Sequence, residues 1–434
     1  MSKSNISASF TVTFITFALL YAAISAQELN VFERINTYEV ELPIKLSGMS
    51  YNLRTWAYQQ ISTRLATGMD SEKNIYIGCS SESHDGYVFK VGPSNRSVIV
   101  SEHKFPSYHV LGLYVHPDGS YGALIWNPTL YNMTVVKVDK DNNEVWRTEL
   151  RVKDVDTNNF DVGDARFEYG NGEYRAYYHV HGVSSIVKDH MGDAYVTISE
   201  TGQARTIWDW GCSHSMSNLL RFQPDTNEFL SVCDSDAYPG LGVYTENRNL
   251  IYNAPGNMRG STAAELGGAA TGINGTWLIV FNAPQPERGG DTYDKNAGDQ
   301  DIVLAFIGKD KKRASVKYLT NTPGVNEDDS CIARLGKNSL RYLVGWKAGN
   351  EYYLGVIDSE GEYAVDPVNV ANTTKWGNRD DSFRTFEGDG SVFWLYAPNS
   401  RGNKILISTF TMPDEGAASM FSPLSLIKLI LMLF

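Results

Sequence analysis

The sequence predicts an all-β protein and, within that class, a β-propeller. Three observations carry this. Short runs of β-branched and aromatic residues alternate with turn residues, and apolar positions at helical spacing are almost absent. The turns repeat their chemistry: VHPDGS (115–120), VDKDNN (138–143), PDTNEF (224–229), IDSEGE (357–362) and FEGDGS (386–391) all supply the Asp, Asn and Gly that tight hairpins need. Finally, the chain matches itself. Asp-Asp-Ser opens one segment at Asp328 and another at Asp380, each followed by a glycine and an apolar strand in step. Similar units precede Ile75, Tyr121, Ala194, Glu228 and Trp277. A period near fifty with several strands per repeat is that of a propeller blade, and residues 60–412 hold about seven such units. A pair of stacked β-sandwiches is the rival architecture.

The elements follow in chain order. Residues 1–26 have a lone early charge at Lys3, an apolar run from Phe10 to Ala23 and the small residues Ala23–Ala26, the composition of a secretory signal peptide. Residues 27–412 read as one domain, because no Pro- or Ser-rich linker divides them. TYEVELPI (37–44) alternates Tyr38, Val40 and Leu42 in the period of a half-buried strand. The last unit shows three good strands and ends at KILISTFTM (404–412), so the N-terminal strand is expected to supply the fourth and close the ring. The tail, 413–434, carries the small residues Gly416–Ser419 and then a greasy end interrupted by Lys428, the ingredients of a GPI-attachment signal.

Export frames the rest. Asn95, Asn132, Asn274 and Asn372 lie in N-x-S/T sequons and are expected glycosylation acceptors. The four cysteines allow three disulfide pairings; Cys212 and Cys233 flank the QPDTNEF turn, which favours that pair across adjacent strands of one blade and leaves Cys79 with Cys331. A net charge of −12 without a basic cluster disfavours nucleic acid and anionic membranes as partners. No cofactor is predicted, although an acidic exported surface could attract calcium or another divalent ion. DKDNNEVWRTEL from Asp139 starts like a calcium loop, but Glu144 and Leu150 stand where glycine and glutamate are required, so it reads as a hairpin. SESHDG (81–86) reads as a loop, since a catalytic triad is assembled from separate segments. The Gly- and Asp-rich insertion 284–301 reads as a rim loop.

Candidate binding residues are those at strand openings expected to line the central channel: His109, His179, His181, His214, Arg334 and Arg384. They converge on an anionic or metal-bearing ligand, or they are buried polar groups bonded to nearby carbonyls or to Asp329 and Asp381; no metal ligand set is assigned. GQARTIWDWGCSHSMSNLLRFQPDTNEFLSV (202–232) resembles blades of arylsulfotransferase-type propellers, which run G-x-x-x-W-x-W, then His, a polar turn, an apolar strand and P-x-x-N. HVHGVSSIVKDHMGDAYVTIS (179–199) resembles the preceding blade. The resemblance covers about 55 residues and implies sulfuryl transfer by channel histidines, nominating His181 and His214 as catalytic with Arg334 or Arg384; Cys212 departs from the pattern. The sequence thus supports two functions. The first is a non-catalytic extracellular glycoprotein, secreted or held at the cell surface, that binds a protein, glycan or matrix partner. The alternative is a channel enzyme of the sulfotransferase, lyase or hydrolase type.

Overall fold

The computed structural model describes residues 31–412 except for 49–51, 55–56, 60–64, 154, 157–164, 184–190, 209–210, 213–217, 236–241, 246–248, 254–264, 286–299, 313, 337–338, 378 and 387. The expected signal peptide (1–26), the expected GPI-attachment tail (413–434), His214 and most of the 284–301 insertion therefore lie outside the described residues. Among those described, no helix is long and apolar enough to cross a membrane.

The chain forms an all-β propeller of consecutive antiparallel sheets. Sheet 1 comprises Ala66–Met69, Ile75–Ser80, Gly86–Val91 and Ile99–Phe105; sheet 2 comprises His109–Val115, Tyr121–Asn127, Asn132–Val138 and Glu144–Leu150. Sheet 3 comprises Ala165–Gly170, Glu173–Gly182, Met191–Ser199 and Ala204–Trp208, with the short strand Val155–Asp156 added beside the second. Sheet 4 is Asn218–Gln223, Glu228–Ser235, Gly242–Thr245 and Leu250–Asn253; sheet 5 is Glu265–Thr271, Trp277–Pro284, Gln300–Ile307 and Ala314–Tyr318. Sheet 6 is Glu327–Leu335, Arg341–Ala348, Glu351–Ile357 and Tyr363–Asn369; sheet 7 is Phe383–Thr385, Val392–Tyr396, Lys404–Phe410 and the N-terminal strand Asn36–Glu41. Six of these are four-stranded blades, and sheet 3 has the same four-strand meander plus its extra strand. Asn52–Arg54 and Ala57–Gln59 pair separately.

The expected clasp is present. Asn36–Glu41 pairs antiparallel with the last strand, Tyr38 opposite Ile407 and Val40 opposite Ile405. Val40 and Leu42 are buried while Tyr38 faces solvent, so the alternation read from the sequence places its apolar positions inward only from Val40 on. Leu42 and Leu46 donate backbone bonds to Asn403 and Gly402, carrying the chain into sheet 1.

Sheets pack face to face, and the apolar core is divided among the sheet interfaces. Tyr76, Val88, Val110 and Leu113 fill the space between sheets 1 and 2, and Leu124, Phe167, Tyr174 and Val196 that between 2 and 3. Val40, Ile77, Phe393 and Ile405 weld sheet 7 and its clasp to sheet 1. Each large apolar side chain removed from water contributes roughly 1.5–3 kcal/mol before chain entropy is offset. Near the axis the strands approach too closely for side chains. A Cβ on Gly112 would stand 2.5 Å from Cβ of Phe167 in the next sheet, and one on Gly267 only 1.9 Å from Oγ of Ser330.

The cysteines fit the sequence reading in part. Cys212 and Cys233 are bonded, with Cα atoms 6.5 Å apart. The bridge does not cross two strands of one blade: Cys212 lies on the connection from sheet 3 to sheet 4, and Cys233 on the second strand of sheet 4. The second expected pair is not formed. Cys79 and Cys331 are free and buried, on sheets 1 and 6 in separate core clusters, and burial pushes both thiols well up. Of the sequons, Asn95, Asn274 and Asn372 are exposed and Asn132 is half-buried at the start of a strand.

Candidate functional site at the propeller axis

The inner strand of sheet 3 places Arg166 and Glu168 two residues apart, hence on one face. From sheet 4 comes Arg221; from the turn before sheet 7 come Arg379 and Asp380; from sheet 7 itself comes Arg384. These form a continuous network. Asp380 accepts from Arg166 Nε at 2.5 Å through one oxygen and from Arg221 Nη2 at 2.6 Å through the other. Glu168 Oε2 accepts from Arg221 Nη1 at 3.2 Å and from Arg384 Nη1 at 2.9 Å. Arg221 Nε reaches the Ala269 carbonyl in sheet 5, and Arg379 Nη2 reaches those of Leu111 and Ala165 in sheets 2 and 3. Arginine suits this position because its planar fork serves several acceptors at once. Burial of the hub is nearly complete, with Arg166 2% and Asp380 1% exposed.

Above this network lies a cavity of about 620 Å³. Glu168, Arg384, Thr67, Leu113, Phe386 and Phe393 line it, together with Lys73 and Asp389, which pair at 2.7 Å and are the more exposed of its charges. It lies where the inner strands are shortest: those of sheets 7 and 1 have three and four residues, against six to nine in the other sheets.

Beside the rim, between sheets 2 and 3, is a second polar cluster. Lys137 Nζ donates to Tyr174 Oη at 2.8 Å and to Ser120 Oγ at 3.1 Å, and His116 Nε2 meets the same Tyr174 oxygen. Burial, reinforced by the Lys137 charge, pushes His116 down to about 4; burial pushes Lys137 down to about 8. The sequence reading took VHPDGS only as a turn and missed this.

Of the six candidate residues, Arg384 lines the cavity. Arg334 lies on the inner strand of sheet 6, where its Nε donates to the Ser339 carbonyl at 3.0 Å and its carbonyl accepts from Thr385. The cavity lining does not include His109, His179 or His181. His109 opens the inner strand of sheet 2, at the end away from Leu113–Pro117; it lies against Trp126 and meets His84. His179 and His181 sit near the end of the second strand of sheet 3, not on an inner strand, and His179 is buried opposite Asp193. Two of the three histidines are thus on a strand that does not border the axis. Sequence reasoning missed Arg166, Glu168 and Arg221. The signal available was ARFEYG, with two opposite charges at alternate positions of an otherwise uncharged strand-like run.

Trp208, Gly211 and Cys212 are part of a structural staple. Asp193, fully buried, accepts from the Cys212 amide at 2.9 Å, from Trp208 Nε1 at 3.2 Å and from the Tyr177 hydroxyl. Its backbone carbonyl takes the Gly211 amide at 2.7 Å. Asp193, Cys212 and Cys233 have their ligand-type atoms together, but the two sulfurs are committed to each other.

No family model matches the chain, and no curated protein matches it. Among solved structures it is similar to an α-L-arabinanase of Penicillium chrysogenum complexed with arabinobiose, at 10% identity and a TM-score of 0.49, covering 87% of this chain and 99% of that one. It is also similar to the GH93 α-L-arabinofuranosidase of Fusarium graminearum, at 11% identity and a TM-score of 0.46, covering 86% and 98%. A third similarity is to prolyl oligopeptidase B of Galerina marginata, at 7% identity and a TM-score of 0.46, covering 88% of this chain and 51% of that one.

Proposed function

We propose that this protein is an exported, seven-bladed propeller glycoprotein, sheet 3 counted as a blade, that binds a small neutral polar ligand in the axial cavity without transforming it. The observation that carries the reading is the pairing of the cavity's charges. Arg384 is bonded to Glu168, which Arg221 shares from beneath, and Lys73 to Asp389, so each of the four charged side chains lining the cavity already holds an opposite charge. A charged ligand would compete with ion pairs that are already made. A neutral molecule rich in hydroxyls can instead use the remaining donor and acceptor positions of guanidinium and carboxylate while laying apolar faces on Tyr114, Phe386 and Phe393. A sugar or polyol, free or as part of a glycan or matrix partner, has that chemistry.

The test is calorimetric titration of the purified protein against neutral saccharides and polyols, paired with a search for turnover. Saturable binding that is weakened in Arg384→Gln and Lys73→Gln, with the ligand recovered unchanged, supports the reading. Conversion of any bound compound that disappears in Glu168→Gln would overturn it in favour of an enzyme.

A further inference from the structure

The SESHDG segment holds a histidine that meets another from the neighbouring sheet. His84 stands in the Ser81–Asp85 turn with a φ of 61°, a left-handed conformation that residues with side chains seldom adopt. The turn is braced on both sides. The Ser81 amide donates to the Asp85 carbonyl at 2.8 Å and the His84 amide to the Ser81 carbonyl at 3.0 Å. Asp85 in turn accepts from the Ser107 amide at 2.9 Å and pairs with Lys104 at 2.8 Å. This bracing aims an exposed imidazole at a buried one. His84 Nδ1 lies 3.2 Å from His109 Nε2, and the rings stand at 83° to each other. His109 is 2% exposed and rests against Trp126 with ring centroids 5.7 Å apart.

Two imidazole nitrogens 3.2 Å apart stand at the separation that two nitrogen ligands of one tetrahedral ion have. With metal–nitrogen bonds of about 2.0–2.1 Å, a separation of 3.2 Å subtends an angle of about 100° at the ion, close to the tetrahedral value. We propose that His84 and His109 form a binding site for a divalent transition cation of the zinc or copper type, with water completing the coordination. Imidazole selects such cations over calcium or magnesium, which take oxygen ligands. The ion would join the 81–85 turn of sheet 1 to the inner strand of sheet 2, at the strand end away from the cavity. The site is therefore independent of the cavity's ligand.

The experiment uses the full exported protein without an affinity tag, titrated with Zn²⁺ by calorimetry and with Cu²⁺ under electron paramagnetic resonance. The expected result is one equivalent of Zn²⁺, a Cu²⁺ spectrum split by two imidazole nitrogens, and a higher melting temperature with the metal. Exposed His84 can be replaced without disturbing the core, so His84→Ala should fold. It should lose at least the roughly 10–100-fold in affinity that removing even an outer partner of a metal ligand costs. His103→Ala should bind as the parent does, because His103 meets Asn142 on the outer edge of sheet 1. Equal binding by His84→Ala, a spectrum without imidazole nitrogens, or no saturable binding would each overturn the proposal and leave the pair as a hydrogen bond.

Discussion

Asp380→Asn tests whether the arginine–carboxylate network holds the axis together. In the parent, one carboxylate serves Arg166 at 2.5 Å and Arg221 at 2.6 Å, and the three side chains are 1%, 2% and 13% exposed respectively for Asp380, Arg166 and Arg221. Asparagine has nearly the same shape but removes the charge that the two largely desolvated guanidiniums share, while Arg221 keeps its bond to Glu168. Breaking a buried pair from one side costs about 3–5 kcal/mol, and the retained amide oxygen places this variant near the lower end. A stability of 5–15 kcal/mol is typical, so the effect is large. Urea unfolding at neutral pH should show a lowered midpoint with an unchanged slope. The exposed Lys73–Asp389 pair is the control; its side chains are 52% and 38% exposed, and Lys73→Gln should change stability by less than about 1 kcal/mol. A loss below about 1 kcal/mol in Asp380→Asn would refute the argument, because it would mean that water reaches both guanidiniums.

Four further outcomes follow from the same geometry. Cys212→Ser with Cys233→Ser opens a link spanning 21 residues and should cost about 3 kcal/mol, read as a lower denaturation midpoint, whereas Cys79→Ser leaves non-reducing mobility unchanged. Gly112→Ala forces a methyl group to within 2.5 Å of Phe167 and should destabilise by about 1–3 kcal/mol in the same assay. Deleting residues 27–46 removes the outer strand of sheet 7 and uncovers Ile405 and Ile407; light scattering should show aggregation where the parent stays monodisperse. His116, held near 4 against an ordinary value of 6.5, takes up its proton more readily in the unfolded chain. Its contribution is complete above about pH 6.5 and is lost as pH falls towards 4, so melting temperatures of His116→Asn should vary less over that window.

The fold was legible because blade chemistry is local. Asp, Asn and Gly at turns and β-branched runs between them are set by backbone geometry, and the TYEVELPI alternation marks the closing strand that pairs with Lys404–Phe410. The axis was less legible. His109, His179 and His181 were grouped because each stands in a strand-like run, but side-chain convergence depends on which strand of a blade is innermost, and two of them lie on a second strand. The charges that do meet come from positions as far apart as Arg166 and Asp380. Nothing in the spacing of residues 214 apart marks them as partners. Cysteine pairing failed similarly: an even count does not bring sheets 1 and 6 together, and both thiols are used as small core residues.

The repeated Asp-Asp-Ser unit shows how one local pattern takes two roles. In sheet 6 it lies within a nine-residue inner strand, Glu327–Leu335, where Lys347 pairs with Asp328 at 3.5 Å and with Asp329 at 3.7 Å. Both partners belong to the same blade. In sheet 7 the unit is a single helical turn, Asp380–Ser382, ahead of an inner strand of only three residues. The shorter strand leaves Asp380 facing the axis, where Arg166 and Arg221 from sheets 3 and 4 can reach it. Phe386, directly after the same short strand, and Phe393, opposite Arg384 on the next, line the cavity. Arg221 and Arg384 donate to the same oxygen of Glu168, so Arg221 helps to position the carboxylate that holds Arg384 at the cavity. Arg221→Met should therefore weaken ligand binding as Arg384→Gln does, although Arg221 itself is absent from the cavity wall. Titrating both variants with the same saccharide tests this, and unchanged affinity in Arg221→Met would separate the cavity from the hub.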